Sequence, residues 1–194
     1  MRLQDVRAIV TGAASGLGKH FTLQLARAGA LVAAGDIDIK GLEQVKNLSQ
    51  EMPGRVVTAR LDASQEASVT SFVKEAAQQF DGLNALVNSA GILRDGLLAS
   101  NDGGWIKKLP MAQWKQVLDV NLTGPYLVTR EVISKSWHGK LNRVWLSTFP
   151  LFPTTETPDN PITQLRRRVW MPVPALGRWN WRVRACAWAQ LPRE

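Results

Sequence analysis

The stretch "RAIVTGAASGLGKHFTLQLARAGALVAAGD", residues 7–36, decides the fold. It opens on one short apolar run, "RAIVT" (7–11), and closes on another, "LVAAGD" (31–36), each with the length and composition of a buried strand. Between them, from Gly18 to Ala28, Phe21, Leu23, Leu25 and Ala26 recur on a helix-like face. Strand, helix and strand in that order make a βαβ unit, which forces the two strands to run parallel.

Working outward, the alternation continues. "RVVTARL" (55–61) and "NALVNSAG" (84–91) read as further strands, and helical patterns occupy 40–50, 65–79, 111–119 and 122–135. Strands that alternate with helices imply an α/β fold, a Rossmann-like doubly wound parallel sheet covered on both faces.

At the first strand-to-helix turn stands "TGAASGLG", with Gly12, Gly16 and Gly18. Glycine suits a tight turn, a close approach to a pyrophosphate and close packing of helix on strand. The helix start adds free N–H groups and the positive end of a dipole. A glycine trio alone is a weak signal. Here a strand precedes it, a helix follows it, and Asp36 ends the next strand, where a carboxylate accepts both ribose hydroxyls of NAD.

Composition bounds the rest. The chain has 194 residues, 45% hydrophobic, which suits a folded protein and excludes disorder throughout. The N-terminal stretch resembles no signal peptide and no apolar run reaches bilayer length, so a soluble, cytoplasmic protein without a membrane partner is the expectation. The single cysteine, Cys186, makes no internal disulfide and has no metal-ligand cluster around it. The net charge of +8 is unevenly placed: residues 1–136 contribute +2, and residues 137–194 contribute +6 with six of the eight tryptophans and seven of the ten prolines. This divides the chain into a nucleotide-binding domain, 1–136, and an aberrant basic tail, 137–194.

The spacing "TGxxxGxG" resembles the short-chain dehydrogenases/reductases. The likeness continues through Asp62 in "RLDAS", "NSAG" (88–91) and Asn121 in "VLDVNLTG". "NSAGILRDGLL" is most similar to the 3-oxoacyl-acyl-carrier-protein reductase and hydroxyacyl dehydrogenase branches. The resemblance implies that Gly12, Ser15, Gly16, Leu17 and Gly18 face the phosphates, Asp36 the ribose and Asp62 the adenine. It places Asn88, Ala90 and Gly91 beside the cofactor and Asn121 in the catalytic tetrad. The implied substrate is a small carbonyl compound or alcohol, and an intact member would be a homo-oligomer. Ser89 departs mildly from the family's second asparagine. Many acyl-carrier reductases use NADP through a basic residue in the loop; here Ala13, Ala14 and Ser15 are neutral and Asp36 would repel a 2′-phosphate, so NAD is the expected cofactor.

The family's proton chemistry needs a serine at the end of an apolar strand and a Tyr-x-x-x-Lys pair, and the tail is read as having neither. Its only tyrosine, Tyr126, is followed four residues later by Arg130, and reads as a packing aromatic of a core helix. The tail makes sense when read one nucleotide out of phase. Trp179–Asn180 then forces Glu, Asn180–Trp181 forces Leu and Trp188–Ala189 forces Gly, inside a stretch that permits the family's sixth strand. In the same phase, Ile162–Thr163 permits the tyrosine and Arg166–Arg167 the lysine, at a spacing of four. The stretch 144–153 then permits a serine thirteen codons before the tyrosine. The frame is therefore expected to be lost between about Ser134 and Arg143, leaving a sheet that stops at its fourth strand with no catalytic helix. Two rival readings compete. One is a basic, tryptophan-rich tail that binds nucleic acid or membrane; the other is a non-catalytic NAD-binding module.

Overall fold

The computed structural model describes residues 2–94, 96–138 and 145–148. Strands β1 (Arg7–Thr11), β2 (Leu31–Asp36), β3 (Arg55–Arg60) and β4 (Ala85–Asn88) alternate with helices α1 (Gly16–Arg27), α2 (Ile39–Leu48) and α3 (Glu66–Phe80). A two-stranded antiparallel hairpin follows, β5 (Ala99–Asp102) and β6 (Trp105–Lys108), then α4 (Met111–Leu118), a π-helical turn over Asp119–Thr123, α5 (Gly124–His138) and β7 (Trp145–Thr148).

The five main strands form one parallel sheet in the order β3-β2-β1-β4-β7. The chain winds outward from β1 to β3, then returns through α3 to β4 on the other side of β1. That reversal opens a crevice beyond the C-terminal ends of β1 and β4, where open α/β sheets bind ligands.

Alternation along the strands sends side chains into two apolar layers. Ile9 and Ala33 face α3 and α5, packing with Phe72, Val73, Val128 and Val132. Ala8, Val10, Val32 and Ala34 point the other way and join Leu42 of α2. The buried face of α3 is Val69, Phe72, Val73, Ala76 and Phe80, spaced as one helical stripe.

Three sequence expectations need correction. In α1 the fully buried stripe is Gly18, Thr22 and Ala26; of the expected face only Ala26 is fully buried, while Phe21, Leu23 and Leu25 are half-buried, Leu25 packing against the core. The helix lies so close to the strand-end loop that only small residues fit: a Cβ on Gly18 would stand 2.0 Å from the Gly12 carbonyl oxygen. Tyr126 is not a core residue; it is 61% exposed, because α5 turns Leu127, Val128 and Val132 inward. The sheet does not stop at its fourth strand. β7 pairs with β4, with Leu86 opposite Leu146 and Val87 opposite Ser147, and Leu146 packs against the core. An apolar stretch beside the open edge of β4 satisfies that edge's free N–H and C=O groups, which would otherwise invite association. The codon junctions proposed for serine, tyrosine and lysine, and Cys186, lie outside the described residues.

Asn84 fastens the start of β4 to the start of β1. Its buried amide accepts a 2.7 Å hydrogen bond from the Arg7 N–H and donates at 2.8 Å to the Asp5 carbonyl. Asn84→Ala removes both bonds at once and leaves a partly buried donor without a partner. A stability loss of about 2–3 kcal/mol is expected in urea unfolding. A shift under about 0.5 kcal/mol would show that water replaces the amide at no cost.

Candidate cofactor site

Gly12, Ser15, Gly16, Leu17, Asp36, Asp62, Ala90 and Gly91 line one cleft of about 650 Å³ beyond the ends of β1, β2 and β4. Three residues assigned from the resemblance stand behind it.

The glycine loop is shaped by backbone demands. Gly12 has φ +67°, and a Cβ there would lie 2.7 Å from the backbone of Ala90, so no larger residue fits between the two strand ends. The Thr11 hydroxyl holds the same junction, accepting the N–H groups of Ser89 and Ala90 at 3.1 Å each. At Gly16, with φ +51°, a Cβ would meet nothing within 4 Å. Ser15 stands at the N-cap of α1 without a side-chain capping bond. The first turn of α1 therefore presents uncapped N–H groups across open space, which fits a pyrophosphate.

Asp36 sits at the end of β2, half-buried, and both carboxylate oxygens are placed by backbone donors. Oδ2 accepts the Ala14 N–H at 2.9 Å and Oδ1 accepts the Asp38 N–H at 3.0 Å. The carboxylate thus ties β2 to the glycine loop and faces the cleft with its orientation set. Asp62 is held in a tight turn, where its Oδ1 accepts from Ser64 N at 3.1 Å and Ser64 Oγ at 2.6 Å.

Gly18, Asn88 and Asn121 do not line the cleft. Gly18 permits the contact of helix and loop described above. Asn88 is buried under the cleft floor and donates to Thr129 Oγ1 at 3.2 Å, while its Oδ1 is a buried acceptor without a partner. Asn121 lies in the π-helical turn between α4 and α5, a distortion that recurs at functional sites. Its Oδ1 accepts from Ile92 N and its Nδ2 donates to Ile92 O, both at 2.8 Å. This two-way clamp sets the backbone that follows Gly91.

Ile37, Ser64, Arg94 and Lys115 also line the cleft and were not singled out in the sequence. Ser64 had a readable signal, two residues after an aspartate at a strand end. Arg94 and Lys115 had none, because they reach the cleft from the loop after β4 and from α4. The Tyr126–Arg130 pair lies outside the cleft lining. Arg130 stacks 5.7 Å from the Tyr126 ring centroid and pairs with Glu66 at 2.5 Å and Glu131 at 3.2 Å. The hydrogen bond that Arg130 donates to the Glu66 carboxylate raises its proton affinity above the usual guanidinium value.

Among the described residues no group of three or more His, Cys, Asp or Glu could hold a metal ion, and no helix is long and apolar enough to cross a membrane. Residues 7–141 match the short chain dehydrogenase family. The chain is 35% identical over 133 residues to the 3-oxoacyl-[acyl-carrier-protein] reductase FabG of Thermotoga maritima, covering 69% of this chain and 51% of that protein. It is 33% identical over 153 residues to the (2S)-[(R)-hydroxy(phenyl)methyl]succinyl-CoA dehydrogenase subunit BbsD of Thauera aromatica, covering 75% and 58%. Among solved structures, a putative short-chain alcohol dehydrogenase from Sinorhizobium meliloti superimposes with a TM-score of 0.65 at 26% identity, covering 74% of this chain and 53% of that one. A short-chain dehydrogenase/reductase double mutant from Serratia marcescens gives 0.62 at 26% identity, covering 70% and 52%. The chain spans about half the length of the curated relatives it matches. A strand order with its switch point between β1 and β4, a glycine cradle against Ala90, and a match over residues 7–141 agree: the chain belongs to the short chain dehydrogenase family.

Proposed function

We propose that this chain is the dinucleotide-binding part of an NAD(H)-dependent oxidoreductase that interconverts a carbonyl compound and a secondary alcohol. As it stands, without a Tyr-x-x-x-Lys pair, it binds the cofactor and does not turn over. The observation that carries the cofactor reading is Asp36, oriented by Ala14 and Asp38 at the cleft wall beside the glycine loop.

When bound, the nicotinamide supplies the hydride. The chain's own contribution is positional. The first turn of α1 would receive the pyrophosphate, Asp36 would accept the ribose hydroxyls, and Asp62 would contact the adenine. Asn121 sets the Ile92 backbone and, through it, the wall opposite α1. With an intact C-terminal part the substrate would be a small carbonyl compound or alcohol, such as a 3-oxoacyl or 3-hydroxyacyl compound, and the protein a homo-oligomer.

The cofactor preference is directly measurable. A phosphate near the Asp36 carboxylate meets like-charge repulsion of about 1–4 kcal/mol at contact distance. NAD should therefore bind at least roughly tenfold more tightly than NADP in a calorimetric titration. Asp36→Ala should narrow the gap. Equal or tighter NADP binding by the unaltered chain would overturn the assignment.

A further inference from the structure

Two hollows meet beside Arg94. The cofactor cleft and a second, open hollow share Arg94, Ala112 and Gln116, and Leu93, Pro110 and Gln113 complete the outer one. The backbone at this junction is held on both sides. Ile92 is gripped by the Asn121 amide through two 2.8 Å bonds, and the Arg94 carbonyl accepts from Gln113 Nε2 at 3.2 Å. The side chain is not held in the same way, since its guanidinium reaches only the Leu93 carbonyl, at 3.4 Å. The cleft lining contains one other cation, Lys115, which is paired with Asp119 at 3.1 Å. Among the described residues Arg94 has no carboxylate partner.

A guanidinium on a fixed backbone, without a carboxylate partner among the described residues and lining two adjoining hollows, is arranged to receive an anion from a ligand that occupies both. We propose that Arg94 is a specificity-determining residue that binds an anionic group, phosphate or carboxylate, on a substrate whose carbonyl lies in the cofactor cleft. The inference rests on the oxidoreductase reading above and deepens it by naming the charge of the substrate. The planar fork of arginine matches two oxygens of either anion, and the apolar surface of Leu93, Ala112 and Pro110 suits the uncharged link between that anion and the carbonyl.

The test uses the full chain saturated with NAD⁺, which has no hydride to give a carbonyl, so every probe stays unreacted. Three probes share the acetoacetyl group. Acetoacetyl-coenzyme A carries phosphates, free acetoacetate carries a carboxylate, and the N-acetylcysteamine thioester carries no charge. Each is titrated calorimetrically into the unaltered chain, Arg94→Gln and Arg94→Lys. Arg94→Gln should weaken at least one anionic probe by about tenfold, Arg94→Lys by less, and neither should move the neutral thioester. Raising the salt concentration should shrink the difference. An effect confined to the coenzyme A thioester identifies a phosphate, and one confined to acetoacetate a carboxylate. The proposal is overturned if the unaltered chain binds neither anionic probe, if Arg94→Gln leaves both unchanged, or if it weakens the neutral thioester equally. A preceding NAD⁺ titration separates the failures. A chain that does not bind NAD⁺ removes the oxidoreductase reading together with this one, whereas NAD⁺ binding without an Arg94 effect removes the anion site alone.

Discussion

Turnover by the chain as it stands is expected to be undetectable, and inserting one base near codon 136 is expected to restore it. The sequence has one tyrosine, Tyr126, and it is 61% exposed on α5, outside the cleft lining. The residue four positions later, Arg130, is paired with Glu66 and Glu131 and stays charged, so it cannot exchange a proton with substrate. No positioned acid therefore faces the cleft from this pair. A general acid is typically worth about 10²–10⁴-fold, and a donor to the developing oxyanion about 10²–10³-fold more. The shifted frame would return the tyrosine, the lysine and the serine together, so the gain should appear as a whole rather than in steps. Nicotinamide absorbance, followed with both proteins against 3-oxoacyl thioesters and secondary alcohols, measures it. Turnover by the unaltered chain, or a repaired gene that encodes no Tyr-x-x-x-Lys, would end the frameshift account.

Gly18→Ala is expected to cost more stability than any other single methyl group added to this fold's first turn. Its Cβ would lie 2.0 Å from the Gly12 oxygen and 2.6 Å from the Gly12 carbonyl carbon. Both are backbone atoms, and Gly12 has no room to retreat because it already abuts Ala90. Relief requires α1 to lift from the sheet, which opens contacts along Thr22 and Ala26. A loss of about 3 kcal/mol or more is expected, with NAD binding lost alongside. Gly16→Ala provides the contrast. Its Cβ meets nothing within 4 Å, so only its φ of +51° opposes the change, at about 1 kcal/mol. Guanidinium unfolding of the two variants compares them directly. If Gly18→Ala unfolds within about 1 kcal/mol of the parent, the close contact is not what the glycine provides.

β7 shows how local the rules of strand formation are. The sequence reading places the loss of frame before Arg143, yet Trp145–Thr148 pairs with β4 in register and puts Leu146 on the core. An open edge accepts any extended stretch with an apolar side chain in the right place, whatever the origin of its codons. Chemistry is less forgiving. A proton relay needs particular atoms at a particular spacing, so a shifted frame can leave a strand and still remove the site.

The amino-acid sequence by itself determined the βαβ start, the parallel alternation, the glycine turn and the carboxylate at the end of β2. These follow from apolar period, strand length and the residue types a turn needs, all of which are properties of neighbours along the chain. Only the tertiary structure decided that Gly12 abuts Ala90, that Thr11 holds the Ser89 and Ala90 N–H groups, and that Asn121 grips Ile92. Tertiary packing alone also chose the small stripe of α1 over its larger residues, turned Tyr126 to solvent and brought Arg94 to the meeting of two hollows. These contacts join segments up to about eighty residues apart, as Thr11 and Ala90 are. Such pairings leave no periodic mark on the sequence, because they depend on where the sheet reverses direction and on how closely each helix can approach it.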